Sequence, residues 1–249
     1  MAKVSGKNYW LTIGLAVLAI ILSMLIFFSW AYLTMIGMPG KSFRGQLPPL
    51  SPKEVVLRDA LQRDVQKLAG EIGQRNYANY EQLMAAADFL ETSLAAARYQ
   101  VQQQGYVIND RTYYNIEVEI RGLERAEEIV VIGSHYDSVF SSPGANDNGT
   151  GAAATLSLAR LFADKRPDRT LRFVQFVNEE PPFFLTENMG SLVYAKRCKQ
   201  RYENIVAMLS LETMGYYSQE LGSQKYPNLL GAIYPLQGNF ISFIGNQRF

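Results

Sequence analysis

The sequence predicts an α/β domain built on a mostly parallel sheet and preceded by one membrane-spanning helix. Three observations predict it. Residues 8–40 carry no charged side chain, and the stretch at 10–36 exceeds the roughly 20 apolar residues that cross a bilayer. Downstream, apolar runs of strand length at 128–134, 171–177 and 205–211 alternate with helical patterns, the order that gives parallel strands joined by helices. Each run then empties into residues able to bind a metal or move a proton: His135 after the first, Glu179 and Glu180 after the second, Glu212 after the third. In parallel sheets functional groups gather at these carboxyl ends, where the loops open outward.

Taken in order, residues 1–8 are expected as a cytoplasmic N-terminus, 9–37 as a transmembrane signal anchor, 38–50 as a linker and 51–249 as the folded domain. The apolar run is longer than that of a cleaved secretory signal and lacks a small-x-small cleavage site before Met38, Pro39 and Gly40. Lys3 and Lys7 on one side face Lys41 and Arg44 on the other, so charge alone leaves the orientation open. Ser51, Pro52 and Glu54 have the pattern of a capped helix start, and the helix is expected to run to about residue 72. Residues 79–104 read as a longer helix with Leu83, Phe89, Leu90 and Leu94 inward. Residues 113–121 alternate as a half-buried strand. After Glu180, the run Pro181, Pro182, Phe183, Phe184 cannot continue a strand and forms a loop beside the strand end. The segment after the anchor suffices for one core.

Composition excludes several classes of function. With 24 Lys and Arg against 23 Asp and Glu, and a net charge of +1, there is no electrostatic footprint for nucleic acid. Cys198 is the single cysteine, so no intrachain disulfide exists; its neighbours Lys196, Arg197 and Lys199 are cations of the kind that can lower a thiol pKa, although most cysteines so placed are incidental. Oligomeric state leaves no signal in the sequence.

The strongest signal is a metal-site pattern. The chain's one histidine, His135, begins the segment His135, Tyr136, Asp137, Ser138; twelve residues after it Asp147 sits within Gly144, Ala145, Asn146, Asp147, Asn148, Gly149, at the mouth of a small-residue helix; Asn178, Glu179, Glu180 follow the next strand. Imidazole nitrogen with carboxylate oxygens and no thiolate suits zinc or another divalent first-row metal. Two cations about 3.5 to 4 Å apart can polarise a peptide carbonyl and hold a water whose proton a nearby carboxylate accepts. Asp137, two residues after His135, is placed to receive the other ring N–H and fix the tautomer.

From about residue 84 to 245 these motifs, in this order and spacing, resemble the catalytic domain of the clan MH co-catalytic zinc aminopeptidases, peptidase family M28. The resemblance implies a three-layer α/β/α zinc-exopeptidase-like domain, zinc as cofactor with two ions in the complete domain, and peptides as substrates. It makes His135 a ligand of one metal, Asp147 the carboxylate shared by both, Glu180 a ligand of the second, and Glu179 the general base. Glu212 takes the first metal's remaining carboxylate position, more often Asp in this family. A cis peptide bond between Asp147 and Asn148 is implied too, as is a catalytic domain outside the cytoplasm on its single membrane anchor.

One family element is missing. Relatives bind the second metal with a further histidine downstream, whereas no histidine follows His135 and the sequence closes on the apolar run 239–249. The expectation is a C-terminally incomplete domain with an incomplete second metal site and impaired activity. The resemblance extends to glutaminyl cyclases, which share the fold and use one zinc; an inactive peptidase-fold binding protein is the remaining alternative.

Overall fold

Residues 6–36, 45–227, 230–232 and 234–245 are described by the computed structural model, and they fall into two units, Met1–Pro49 and Leu50–Phe249. Residues 1–5, the linker positions 37–44 and the final residues 246–249 lie outside the described residues. In the first unit, helix α1 (Gly6–Ala31) continues through a widened turn to Ile36. Its stretch Tyr9–Thr34, which holds an 18-residue window of mean hydropathy 2.8 with no residue buried, is long and apolar enough to cross a membrane. Tyr9 and Trp10 stand near one end and Trp30 and Tyr32 near the other, the positions at which aromatic residues are enriched in membrane-spanning helices.

In the second unit Ser51 caps helix α2 (Pro52–Val65) with the expected reciprocal pair: its hydroxyl accepts the Glu54 N–H at 3.4 Å and its own N–H reaches Glu54 Oε2 at 2.7 Å. The helix widens over Gln66–Ile72 and stops at Gly73, whose φ of 82° is open to glycine. Helix α3 (Tyr80–Ala96) then buries Leu83, Leu90 and Leu94 as expected, but it ends well before residue 104. Residues 102–104 instead open strand β1 (Gln102–Ile108), which pairs antiparallel with β2 (Arg111–Ile120). Only Asn109 and Asp110 connect them, both with positive φ (47° and 61°), the two-residue geometry that suits the twist of a hairpin. Cross-strand pairing overrides the helical preference of the glutamines.

Strands β3 (Arg125–His135), β4 (Arg169–Phe176) and β5 (Asn204–Ser210) complete a five-stranded sheet in the order β1-β2-β4-β3-β5. Pairings of β3 with β4 and with β5 are parallel; those of β2 with β1 and β4 are antiparallel. The sheet is therefore mixed, with β2 reversed because a tight hairpin admits no other direction. Its parallel part is the part that carries the metal-site pattern.

Helices cover both faces, and alternate residues of one strand show it. Phe173 packs with α3 and with α4 (Gly151–Phe162), among Leu90, Leu156 and Ile116. Val174 faces the other way, onto Tyr194 and Cys198 of α5 (Gly190–Gln200). The polar face of β2, expected to be half solvated, is covered at Asn115 and Glu117 and open at Glu119. Asn115 donates to the Gly190 carbonyl at 2.8 Å, Glu117 meets Arg197 at 2.6 Å and Glu119 meets Arg172 at 2.7 Å. A buried pair such as Glu117 with Arg197 adds modest net stability, yet removing Arg197 would leave the buried Glu117 charge without its closest counterion.

Candidate metal centre

His135 is the last residue of β3, and the chain leaving it is fastened to the end of β4. The Tyr136 N–H donates to the Phe176 carbonyl at 2.9 Å. Asp137, almost fully buried, accepts the Glu179 N–H on one oxygen at 3.1 Å and the Glu180 N–H on the other at 3.0 Å. Its Oδ1 lies 3.4 Å from His135 Nδ1, which has no hydrogen-bond partner among the described residues. Asp137 thus stands beside the imidazole as expected while committing its lone pairs to the glutamate backbone. Asn178 makes the turn into those glutamates with a φ of 60°. The proline loop follows at once: Phe183 is buried edge-on against Tyr77 and Tyr113, whereas Phe184 is exposed.

Asp147 lies in an irregular turn, Ala145–Thr150, with a cis peptide bond between Asp147 and Asn148. This is the bond implied by the sequence resemblance. The turn presents Asp147 outward and sends the fully buried Asn148 side chain to the third strand end. The Asn148 amide donates to the Leu211 carbonyl at 2.9 Å and to Glu212 Oε2 at 3.0 Å, while its oxygen accepts the Gly151 N–H at 2.9 Å. Thr150 and Asn146 accept the N–H groups of Met214 and Gly215. Backbone and side chain together hold the Glu212 loop against the Asp147 turn. No side chain fits at Gly151, where a Cβ would stand 2.3 Å from the Leu211 carbonyl oxygen.

Three strand ends thereby converge. His135 Nε2 lies 3.3 Å from Asp147 Oδ1, 3.5 Å from Glu212 Oε2 and 3.7 Å from Glu179 Oε2. The ligand atoms of His135, Asp147 and Glu212 all fall within 4.8 Å of one another, and so do those of His135, Glu179 and Glu180. Burial would lower the His135 pKa, but the carboxylates of Asp137, Asp147 and Glu212 outweigh it and push it up to about 12. Asp147 is held below the usual carboxylate range chiefly by His135. Burial raises Glu179, and burial followed by the Asp147 charge takes Glu180 up to about 7. Acidic groups crowded on one imidazole in this way provide a strong field for a cation. The spacing fits one too: two atoms each about 2.1 Å from a tetrahedral ion stand about 3.4 Å apart, close to both the Asp147 and the Glu212 separations from Nε2.

One residue at the site had no recognisable sign in the sequence. Arg75, between α2 and α3, is fully buried and reaches the Tyr136 and Gly144 carbonyls, on either side of the loop that separates His135 from Asp147. A single arginine among Gln74 and Asn76 forms no motif, and the Tyr136 and Gly144 carbonyls lie 61 and 69 positions away. At Cys198, in turn, the neighbouring cations do not prevail. Burial, and then Glu203, push its thiol up to about 11 rather than down, because α5 turns it inward onto β3 and β4.

Residues 115–247, more than half of the chain, match Peptidase family M28. The chain belongs to peptidase family M28. Among its relatives the uncharacterized protein YfbL of Escherichia coli K12 is 32% identical over 196 residues, which span 75% of this chain and 59% of that protein. Of solved structures, BSAP, a zinc aminopeptidase from Bacillus subtilis, superposes with a TM-score of 0.58 at 15% identity, covering 67% of this chain and 71% of that one. A glutaminyl cyclase from Bacteroides thetaiotaomicron superposes with a TM-score of 0.53 at 18% identity, covering 66% and 63%. These two likenesses show the α/β exopeptidase fold.

Proposed function

We propose that this M28 chain carries the metal-binding core of a zinc-dependent exopeptidase of the aminopeptidase type, tethered to a membrane by α1 with the core outside the cytoplasm. The observation that carries the reading is the meeting of His135 Nε2 with Asp147 and Glu212, at 3.3 and 3.5 Å, beside Glu179 and Glu180. In it His135, Asp147 and Glu212 hold one zinc, and Glu180 with the shared Asp147 forms the weaker half of a second position. Bound there, zinc would polarise a peptide carbonyl and make a water more acidic. Glu179 stands 3.7 Å from His135 Nε2 with a partly exposed side chain. Its carboxylate accepts the proton of the attacking water and returns it to the departing amine. Asp137 holds both glutamates in place through their backbone N–H groups. Because the chain's one histidine belongs to the first group, we expect about one tightly held zinc per chain and slow turnover.

Glutamine substitutions test the division of labour. Glu179→Gln keeps its zinc and loses most hydrolysis of an amino-acid anilide, since an amide cannot take the water's proton; Glu180→Gln weakens metal binding. Equal metal content and equal activity in the two variants would remove the assigned roles. One observation favours a second reading: both three-residue groups share His135, and one three-ligand group suffices for one-zinc chemistry, as in a glutaminyl cyclase. A peptide with an amino-terminal Gln is shortened under the first reading and cyclised without loss of a residue under the second.

A further inference from the structure

Arg75 is a buried cation whose hydrogen bonds all go to neutral groups. None of its surface reaches solvent, and its guanidinium donates to the backbone carbonyls of Tyr136, Leu68, Gly73, Pro143 and Gly144. A buried arginine ordinarily meets a carboxylate. Here the carboxylates of Asp137 and Asp147 act on it through space. Its main chain adds two bonds to the same loop: the Arg75 N–H donates to Ser138 Oγ at 3.1 Å, and the Ser138 N–H donates to the Arg75 carbonyl at 2.9 Å.

The placement of these partners is selective. Tyr136 lies between His135 and Asp137, and Pro143 and Gly144 enter the turn that bears Asp147. One planar fork therefore grips both flanks of the excursion that runs from the first proposed ligand to the shared one. Gly144, at a φ of 58°, leaves the space this needs; a Cβ there would stand 2.6 Å from Ser138 Cβ and 3.2 Å from Arg75 Nη2. A rigid guanidinium satisfies several carbonyls in fixed directions, which the compact ammonium of lysine cannot do.

We propose that Arg75 is a positioning residue for the metal centre, setting the separation of His135 from Asp147 by bonding the backbone at both ends of segment 136–144. The proposal rests on the zinc reading of the site. Its role is the geometry of the fork rather than the charge, so Arg75→Lys should fail to replace it.

Two measurements on the full chain in detergent separate the possibilities. In metal-free protein, amide hydrogen exchange over residues 137–149 should speed up about tenfold in Arg75→Lys, while β4 keeps its protection. Zinc affinity, read by competition with a chromophoric chelator, should fall about tenfold or more, in the range seen when a group that orients metal ligands is lost. Leu90→Ala, a core change in α3 away from the loop, serves as the control: it lowers the thermal midpoint without a selective effect on 137–149 or on zinc affinity. Unchanged exchange in the loop, an increase spread evenly over the domain, or a zinc affinity no weaker than that of Leu90→Ala would each overturn the proposal. A wild-type chain that takes up no zinc would defeat the metal reading instead, and is told apart from these by the metal-free exchange. Should Arg75→Lys fail to fold, Ser138→Ala removes one tie from the same clamp. About threefold faster exchange confined to 137–149 is then expected, and no change, or a change spread over the domain, overturns the proposal.

Discussion

The ends of β3 and β4 and the end of β5 contribute to one site but are built differently. Val131, Val174 and Phe176 are buried under α5, and His135 and Asp137 continue that burial into the site. On β5, by contrast, Val206, Met208 and Leu209 are exposed, the strand pairs among the described residues with β3 alone, and the Glu212 side chain is 46% exposed. The β3–β4 half is held by the core and by Asp137 and Arg75; the β5 half is held through Asn148, Asn146 and Thr150. Packing presets the first half of the site, whereas the second is attached by the backbone ladder of β5 with β3 and by a few side-chain hydrogen bonds.

The largest effect should separate the two halves by stability. Phe173→Ala, in the packed layer against Phe162, is expected to cost about 3–5 kcal/mol in denaturant unfolding, whereas Met208→Ala on the exposed strand should cost less than about 1 kcal/mol. Equal losses would mean that β5 is as well packed as its neighbours. A smaller and more local effect is expected from Asn148→Ala, which removes the amide that reaches Glu212 and Leu211. Zinc affinity should fall about tenfold, equivalent to about 1.4 kcal/mol, as measured by chelator competition. Unchanged affinity would show that Glu212 is placed by other contacts or does not bind the ion. The smallest effect concerns Cys198, under the covered half. With its thiol pushed up to about 11, little thiolate forms at pH 7.5, so iodoacetamide should label the native protein far more slowly than the unfolded one. Rapid native labelling would mean that α5 opens readily from β3 and β4.

How much of this was legible in the sequence depended on the range of the interaction. Ser51 and Glu54 lie three residues apart and read directly as a cap. The apolar runs at 128–134, 171–177 and 205–211 fall within β3, within β4 and its next residue, and within β5 and its next residue, and the site residues stand at their carboxyl ends. Strand β1 was hidden because Gln102, Gln103 and Gln104 have no strand preference of their own and become a strand through β2. Arg75 was hidden for the same reason carried further, since its acceptors are backbone carbonyls with no residue-type signature. For Cys198 the adjacent cations were visible and misleading. Burial and Glu203, five residues on, decide its pKa.

The most direct test of the account is an anomalous-difference map at the zinc edge, recorded from crystals of the chain grown with one equivalent of zinc. The account predicts one dominant peak at His135 Nε2, Asp147 and Glu212, with a weaker one or none between Asp147 and Glu180. A peak elsewhere on the molecule, or none at His135, would contradict it.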